Sequence, residues 1–467
     1  MGGEQAGSWA QMVAPGRRGA VTVLAGGTLM FAVDTYVTAS LLPSAVAEIG
    51  GAAFYAWPTT VFLLAAVVAS SLTSRVLAAV PAGRAYLVAL GVFAAGALID
   101  AVAPSMPVLL VGRLVQGAGG GLLAGMGYAL IRITLPRSLW TRGSALIAAM
   151  WGVALVVGPG LGGLLAGAGQ WRWAFGALVV ASLLIGAIVP SALHRARART
   201  SPGPFPLGSV LLVGAAAAVL SVAGLAADLL VAGVGLAAAA VLLVGFVAHE
   251  RRTAAAVLPR ATFRPGSPLR WIYGLSAVLV GVSGVEAFVP LAGQQVAGLA
   301  PVAAGFLGVA LGAGWVAGEM ISASARRPRW RVLAGPGLLA AGTVLVAVGV
   351  VALDGSGAVA VWAVGLVAGG FGIGTAWPHL AASAIGGAEP DPDGEQDEGE
   401  ADKASAAVTT VQMLAVSVGT ALGGVSLALG DGDPLASARW LFATFAVAAV
   451  LGALTARPAS RGVPVEI

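Results

Sequence analysis

The chain has 467 residues, 58% of them hydrophobic and 10% charged, with a mean hydropathy of +0.93. A soluble globular protein carries about 25% charged residues, so this composition belongs in a bilayer, and long apolar runs with 69 glycines exclude the alternating segments of an outer-membrane barrel. Cysteine is absent and only three histidines occur, which excludes disulfides and thiolate chemistry and leaves little for a metal cluster; the +5 net charge is almost all Arg and follows membrane topology, with no nucleic-acid partner implied.

A spanning helix needs about 20 mostly apolar residues. In chain order, fourteen such stretches are predicted, making an all-α polytopic membrane protein: 19–43, 55–80, 84–103, 107–131, 143–167, 173–193, 207–226, 229–248, 270–293, 299–322, 332–353, 358–382, 404–429 and 437–456. The first follows Arg17 and Arg18, but no small-residue cleavage site follows a short apolar core, so it reads as an anchor and not as a signal peptide. Residues 207–248 read as a helical hairpin, because the sequence is interrupted at 224–228. Between 386 and 404 the composition turns acidic, with eight carboxylates. Asp391, Asp393, Glu395 and Asp402 have some of the spacing of a calcium loop, but the glycine is misplaced for the turn, and a solvated linker is the expectation.

Arg and Lys remain on the cytoplasmic side of short loops. With the N-terminus inside, 22 of the 25 basic residues fall on that side, leaving Arg113, Arg172 and Arg439. A single helix at 207–248 would send the downstream clusters outside, so the count favours fourteen spans over thirteen. Both termini and the 386–404 loop are then cytoplasmic, in a multi-pass protein of the cell membrane.

Four charged residues are left at membrane depth: Asp34, Arg113, Glu286 and Glu319. Such residues are expensive there and mark functional sites by default. Asp34 and Arg113 fall at similar depth, about 10 Å inside their spans at about 1.5 Å per residue, and are expected to meet, either as a structural ion pair or as a working one. Glu286 lies one turn before Pro290 with no evident partner, so it is expected to be protonated or to face water. Glu319 is near a span end, two turns before Arg326, and is expected to snorkel to the interface.

Small residues allow close helix contact, and proline frees a carbonyl and bends a span. Two stretches combine these features with polar groups. Gly112-Arg113-Leu-Val-Gln116-Gly117-Ala-Gly119 resembles the RxxQG motif of the major facilitator superfamily, and Gly158-Pro159-Gly160-Leu-Gly162-Gly163 resembles its antiporter motif GPxxGG. Phe31-Ala-Val-Asp34-Thr35-Tyr-Val-Thr-Ala39-Ser-Leu-Leu-Pro43 is similar to the first-helix signature of the fourteen-span drug:proton antiporter branch. His249-Glu250-Arg251-Arg252, followed by Leu258-Pro259 and Phe263-Arg264, is similar to that branch's linker. The chain departs from the pattern between the second and third spans, where Ser74 stands at the usual Asp position, and at Ala154, the first position of the antiporter motif.

The resemblance implies six-helix bundles at 1–200 and 265–467, with two inserted helices and a linker at 201–264. It also implies alternating access about a site near the midplane, and a proton-coupled exporter of small lipophilic compounds that needs no cofactor beyond the proton gradient and works as a monomer. Asp34 would carry the proton with Arg113 beside it, and Gln116, Gly117, Gly158, Pro159, Gly162 and Gly163 would form structural motifs. Asp34 and Glu286, in corresponding helices, would lie on opposite walls of one cavity and bind substrate; two carboxylates there favour a cation. No GxxxxGK[ST] sequence suggests ATP as the driving force. A lipid or metabolite transporter on the same fold is the alternative. A membrane-embedded enzyme would need a nucleophile, a metal site or paired carboxylates at one depth, and a receptor would have no use for buried ionisable groups.

Overall fold

The computed structural model describes residues 9–136, 139–193, 206–225, 228–253, 255–322, 327–353, 355–386 and 398–463. The chain forms two compact units, one of residues Met1–Gly51 and Val61–Phe205, the other of Ala52–Thr60 and Pro206–Ile467.

In the first unit a short helix α1 (Trp9–Met12) precedes α2 (Arg18–Ile49). α2 is 32 residues long, about 48 Å at ~1.5 Å per residue, so it outruns a hydrocarbon core of about 30 Å. The sequence placed its end at Pro43; instead Pro43 lies inside the helix, which stops at Gly50, whose φ of 73° suits a residue without Cβ. α3 (Trp57–Ser71, whose residues from Val61 on belong to this unit), α4 (Thr73–Ala79), α5 (Ala82–Ala101), α6 (Met106–Thr134), α7 (Trp140–Gly167) and α8 (Arg172–Ala192) follow. Glycines set their spacing. A Cβ on Gly96 would strike the backbone of Gln116, and one on Gly119 the backbone of Phe93, so α5 and α6 touch main chain to main chain. Gly117 and Gly121 likewise abut Phe62 and Ala66 of α3.

The second unit holds α9 (Leu207–Ala223) and α10 (Leu229–Glu250), which pack as the expected hairpin. Asp228 caps α10 by accepting hydrogen bonds from Leu230 N at 2.7 Å and Val231 N at 3.1 Å. α9 also packs on α17 (Glu398–Ala428). α10 leaves Leu230, Val241 and Val244 about three-quarters exposed, a surface that suits lipid and not water.

The next predicted spans are broken. Residues 269–295 consist of α11 (Leu269–Ser283), a 3-10 turn at Gly284–Ala287 and α12 (Val289–Gln295); α13 (Pro301–Gly308) and α14 (Ala310–Ser322) are interrupted at Val309. α15 (Pro328–Ala352) and α16 (Gly355–Gly386) form an extensive helix pair, and α14 also packs closely on α16, with Gly314 and Gly318 against the backbone of Val367 and Phe371, and Gly370 and Gly374 against that of Leu311 and Trp315. α17 begins at Glu398, so the end of the stretch read as an acidic linker is helical, while Asp391, Asp393 and Glu395 lie outside the described residues. α18 (Pro434–Ala453) and α19 (Ala456–Ser460) complete the unit.

Among the described residues thirteen helices are long and apolar enough to cross a membrane. The remaining predicted span, at 207–226, is α9, whose 17 residues reach about 26 Å at ~1.5 Å each, slightly short of a core of about 30 Å.

Candidate functional site

Asp34 and Arg113 meet. The guanidinium Nη1 lies 2.9 Å from both Asp34 carboxylate oxygens, and Asp34 and Arg113 are 0% and 1% exposed. The same Nη1 donates to Gln116 Oε1 at 2.6 Å, and the Phe62 ring lies under the guanidinium with its centroid 4.2 Å away. Their placement follows from the small residues around them. Gly158 abuts Tyr36, and a Cβ on Gly162 would stand 2.7 Å from Val37 O, so the stretch around Pro159, inside α7, presses on α2 just past Asp34; Gly163 is buried beside it. Gly117 brings α6 against α3 and so puts Phe62 beneath Arg113.

A third ionisable group escaped the sequence reading. Asp100 is 0% exposed, and neither of its carboxylate oxygens has a hydrogen-bond partner. It lies against Gly112, one residue from Arg113, and interacts electrostatically with both Arg113 and Asp34. Thr38 and Gln116, also buried, flank the Asp34 carboxylate. A buried polar group left unpaired costs about 1–3 kcal/mol, so the two bare oxygens of Asp100 beside an ion pair mark a costly polar site inside the first unit. The sequence signal for Asp100 is an acid near the end of the stretch 84–103 predicted to span, and it is absent from the four charges placed at membrane depth.

Glu286 belongs to the second unit and lies in the 3-10 turn that breaks its span. Its Oε1 is buried without a partner, with the Gly312 amide of α14 beside the carboxyl. Pro290, expected one turn on in the same helix, instead opens α12. The Tyr55 hydroxyl donates to Ala287 O at 3.4 Å, and the Tyr55 and Phe288 rings are 5.7 Å apart, which holds the turn. Glu319 is half-buried in the last turn of α14, next to Trp315.

Three further polar clusters were not foreseen. Ser322 Oγ donates to Thr375 O at 2.7 Å and lies 2.9 Å from His379 Nε2, tying α14 to α16. Glu250, buried at the end of α10, accepts from Ser209 Oγ, from Val257 N at 3.1 Å and from Leu258 N at 2.7 Å, so the linker signature folds back onto its own helix. Arg172, left over from the topology count, pairs with Glu48 at the end of α2 and donates to Ala103 O at 3.0 Å. Among the described residues no cluster of three or more His, Asp or Glu could hold a metal ion.

Comparison with known proteins agrees with this architecture. The model of the Major Facilitator Superfamily matches residues 24–395. The chain is 44% identical over 98% of its length, and 97% of the relative's, to a probable multidrug-efflux transporter of Mycobacterium tuberculosis. A multidrug resistance protein of Bacillus subtilis is 28% identical over 32% of the chain and 29% of its own length. A solved D-xylose-proton symporter shares the fold with a TM-score of 0.65 at 12% identity, covering 96% of this chain and 98% of its own. Residue pattern, helical architecture and full-length similarity converge: the chain is a multi-pass membrane protein that belongs to the major facilitator superfamily.

Proposed function

We propose that the chain is a proton-coupled exporter of small lipophilic compounds, drugs among them, working by alternating access. Full-length similarity to a protein named as a probable multidrug-efflux transporter is the observation that carries export of drugs. The buried Asp34–Arg113 pair supports coupling to protons, because a carboxylate at membrane depth that can lose its counter-ion is a group able to take and release a proton. Glu286, at the break of its span, is the substrate-binding carboxylate in this reading and favours lipophilic cations; broken helices are where transporters of this class expose polar groups. The protein acts as a transporter and not an enzyme, as a monomer in the cell membrane, with six-helix bundles at 1–200 and 265–467, the segment 201–264 between them, both termini on the cytoplasmic side and the proton gradient as its energy source.

The test is transport in proteoliposomes under an imposed pH gradient. Asp34→Asn keeps the side chain's size and removes its titration. Gradient-driven accumulation of a lipophilic cation should stop while the variant still folds; normal accumulation would place the coupling group elsewhere.

A further inference from the structure

We propose that Asp100 is a second proton site, and that Asp34, Arg113 and Asp100 together hold one exchangeable proton with two places to reside. The proposal rests on the proton-coupled reading above and extends it to a residue outside the family motifs.

Charge counting inside the first unit carries the argument. All three side chains are at most 1% exposed, so an uncompensated charge among them is too costly to persist. With both carboxylates ionised the cluster carries a net −1, and with both protonated a net +1. Neutrality requires one proton. In the geometry described it resides on Asp100: Arg113 engages both oxygens of Asp34, whereas neither oxygen of Asp100 accepts a hydrogen bond. The alternative neutral arrangement is a protonated Asp34 with an ionised Asp100 facing the guanidinium, and the contact between Asp100 and Gly112 keeps that carboxylate within the electrostatic reach of Arg113.

Moving between the two arrangements breaks the O–H bond on Asp100, forms one on Asp34, and leaves net charge unchanged. Asp100 lies next to the last residue of α5, and Arg113 two turns into α6, so Asp100 is the member of the cluster nearer that end of the unit. It therefore passes the proton between that end and the Asp34–Arg113 pair. The remaining charged groups there, Arg172 and Glu48, are paired with each other and half-exposed or nearly so, and do not neutralise the cluster.

Infrared spectroscopy of the purified full-length protein tests this directly, because a protonated carboxyl has a carbonyl stretch that a carboxylate lacks. At neutral pH part of that band should vanish in Asp100→Asn. It should also vanish in Asp34→Asn, where Asp100 becomes the ionised partner of Arg113, and it should grow in Arg113→Gln, where both acids become neutral. A band unchanged by Asp100→Asn, or survival in Asp34→Asn of the component that Asp100→Asn removes, overturns the proposal. The Asp34→Asn arm reads Asp100 itself, so it decides the matter even if Asp100→Asn does not fold. In liposomes Asp100→Asn should lose gradient-driven accumulation but keep counterflow of substrate, which needs no net proton movement; normal accumulation overturns the relay. A wild-type protein that ignores the pH gradient would overturn the proton-coupled reading, a failure distinct from a negative infrared result.

Discussion

Asp34 and Asp100 should be strongly non-additive in stability, because both compensate one buried cation. Asp34→Asn removes the charge that Arg113 Nη1 contacts at 2.9 Å through both oxygens, and hydrogen bonds to charged groups contribute about 1.5–3 kcal/mol each. Asp100 is close enough to ionise in its place, so the observed loss should be no more than about 1–2 kcal/mol. Asp100→Asn alone replaces a neutral acid that accepts no hydrogen bond, and should change stability by less than about 1 kcal/mol. The double variant leaves the Arg113 guanidinium, 1% exposed, with neither counter-ion, and breaking a buried pair in this way costs about 3–5 kcal/mol. Denaturant titration of the four proteins in mild detergent, followed by tryptophan fluorescence, gives the coupling directly. A double variant that equals the sum of the singles within about 0.5 kcal/mol would show that Asp100 does not sense Arg113, and would refute the reasoning.

Other consequences concern separate parts of the molecule. Glu286→Gln should weaken binding of cationic compounds by about 1–3 kcal/mol and leave neutral ones nearly unaffected, read by tryptophan quenching with both classes; equal losses would reduce Glu286 to a packing residue. A Cβ on Gly374 would strike Trp315 O and come within 2.7 Å of Glu319 N, so Gly374→Ala should destabilise by about 1–3 kcal/mol, whereas Gly337→Ala, with nothing within 4 Å, should be neutral or stabilising in the same thermal melt. Glu250→Ala removes the acceptor of three hydrogen bonds, and should open the linker after α10 to limited proteolysis, with Glu250→Gln intermediate; an unchanged digestion pattern would contradict the fold-back. Cysteines placed at Ser105 and Gly355 should react with an impermeant reagent in intact cells and those at Ser201 and Gly394 should not, the reverse pattern overturning the orientation.

Much of this protein is legible in one dimension. Spanning helices follow from hydropathy because a bilayer requires each segment to satisfy its own backbone hydrogen bonds, so length and apolarity suffice to locate them; even the hairpin at α9 and α10 shows in its interruption at 224–228. Asp34 and Arg113 were visible as rare charges at matching depth. Boundaries were less legible: Pro43 does not end α2, since a lipid-buried helix tolerates an internal proline, and helix α17 extends back over acids that composition alone assigns to a linker.

What tertiary structure alone decided is which polar groups share a low-dielectric interior. Asp100 stands near the end of its predicted span, and nothing in one dimension pairs it with Arg113; close approach of α5 and α6 at Gly96 and Gly112 buries it beside Arg113 and turns a simple ion pair into a three-member cluster. The break at Glu286 has the same character, because the Gly284 backbone packs against Thr420 of α17 and that contact is long-range. Hydropathy is a property of a segment and survives in its composition. The energy of a charge at depth depends on the other charges within a few ångströms, and those are brought together only by the packing of helices distant in the chain.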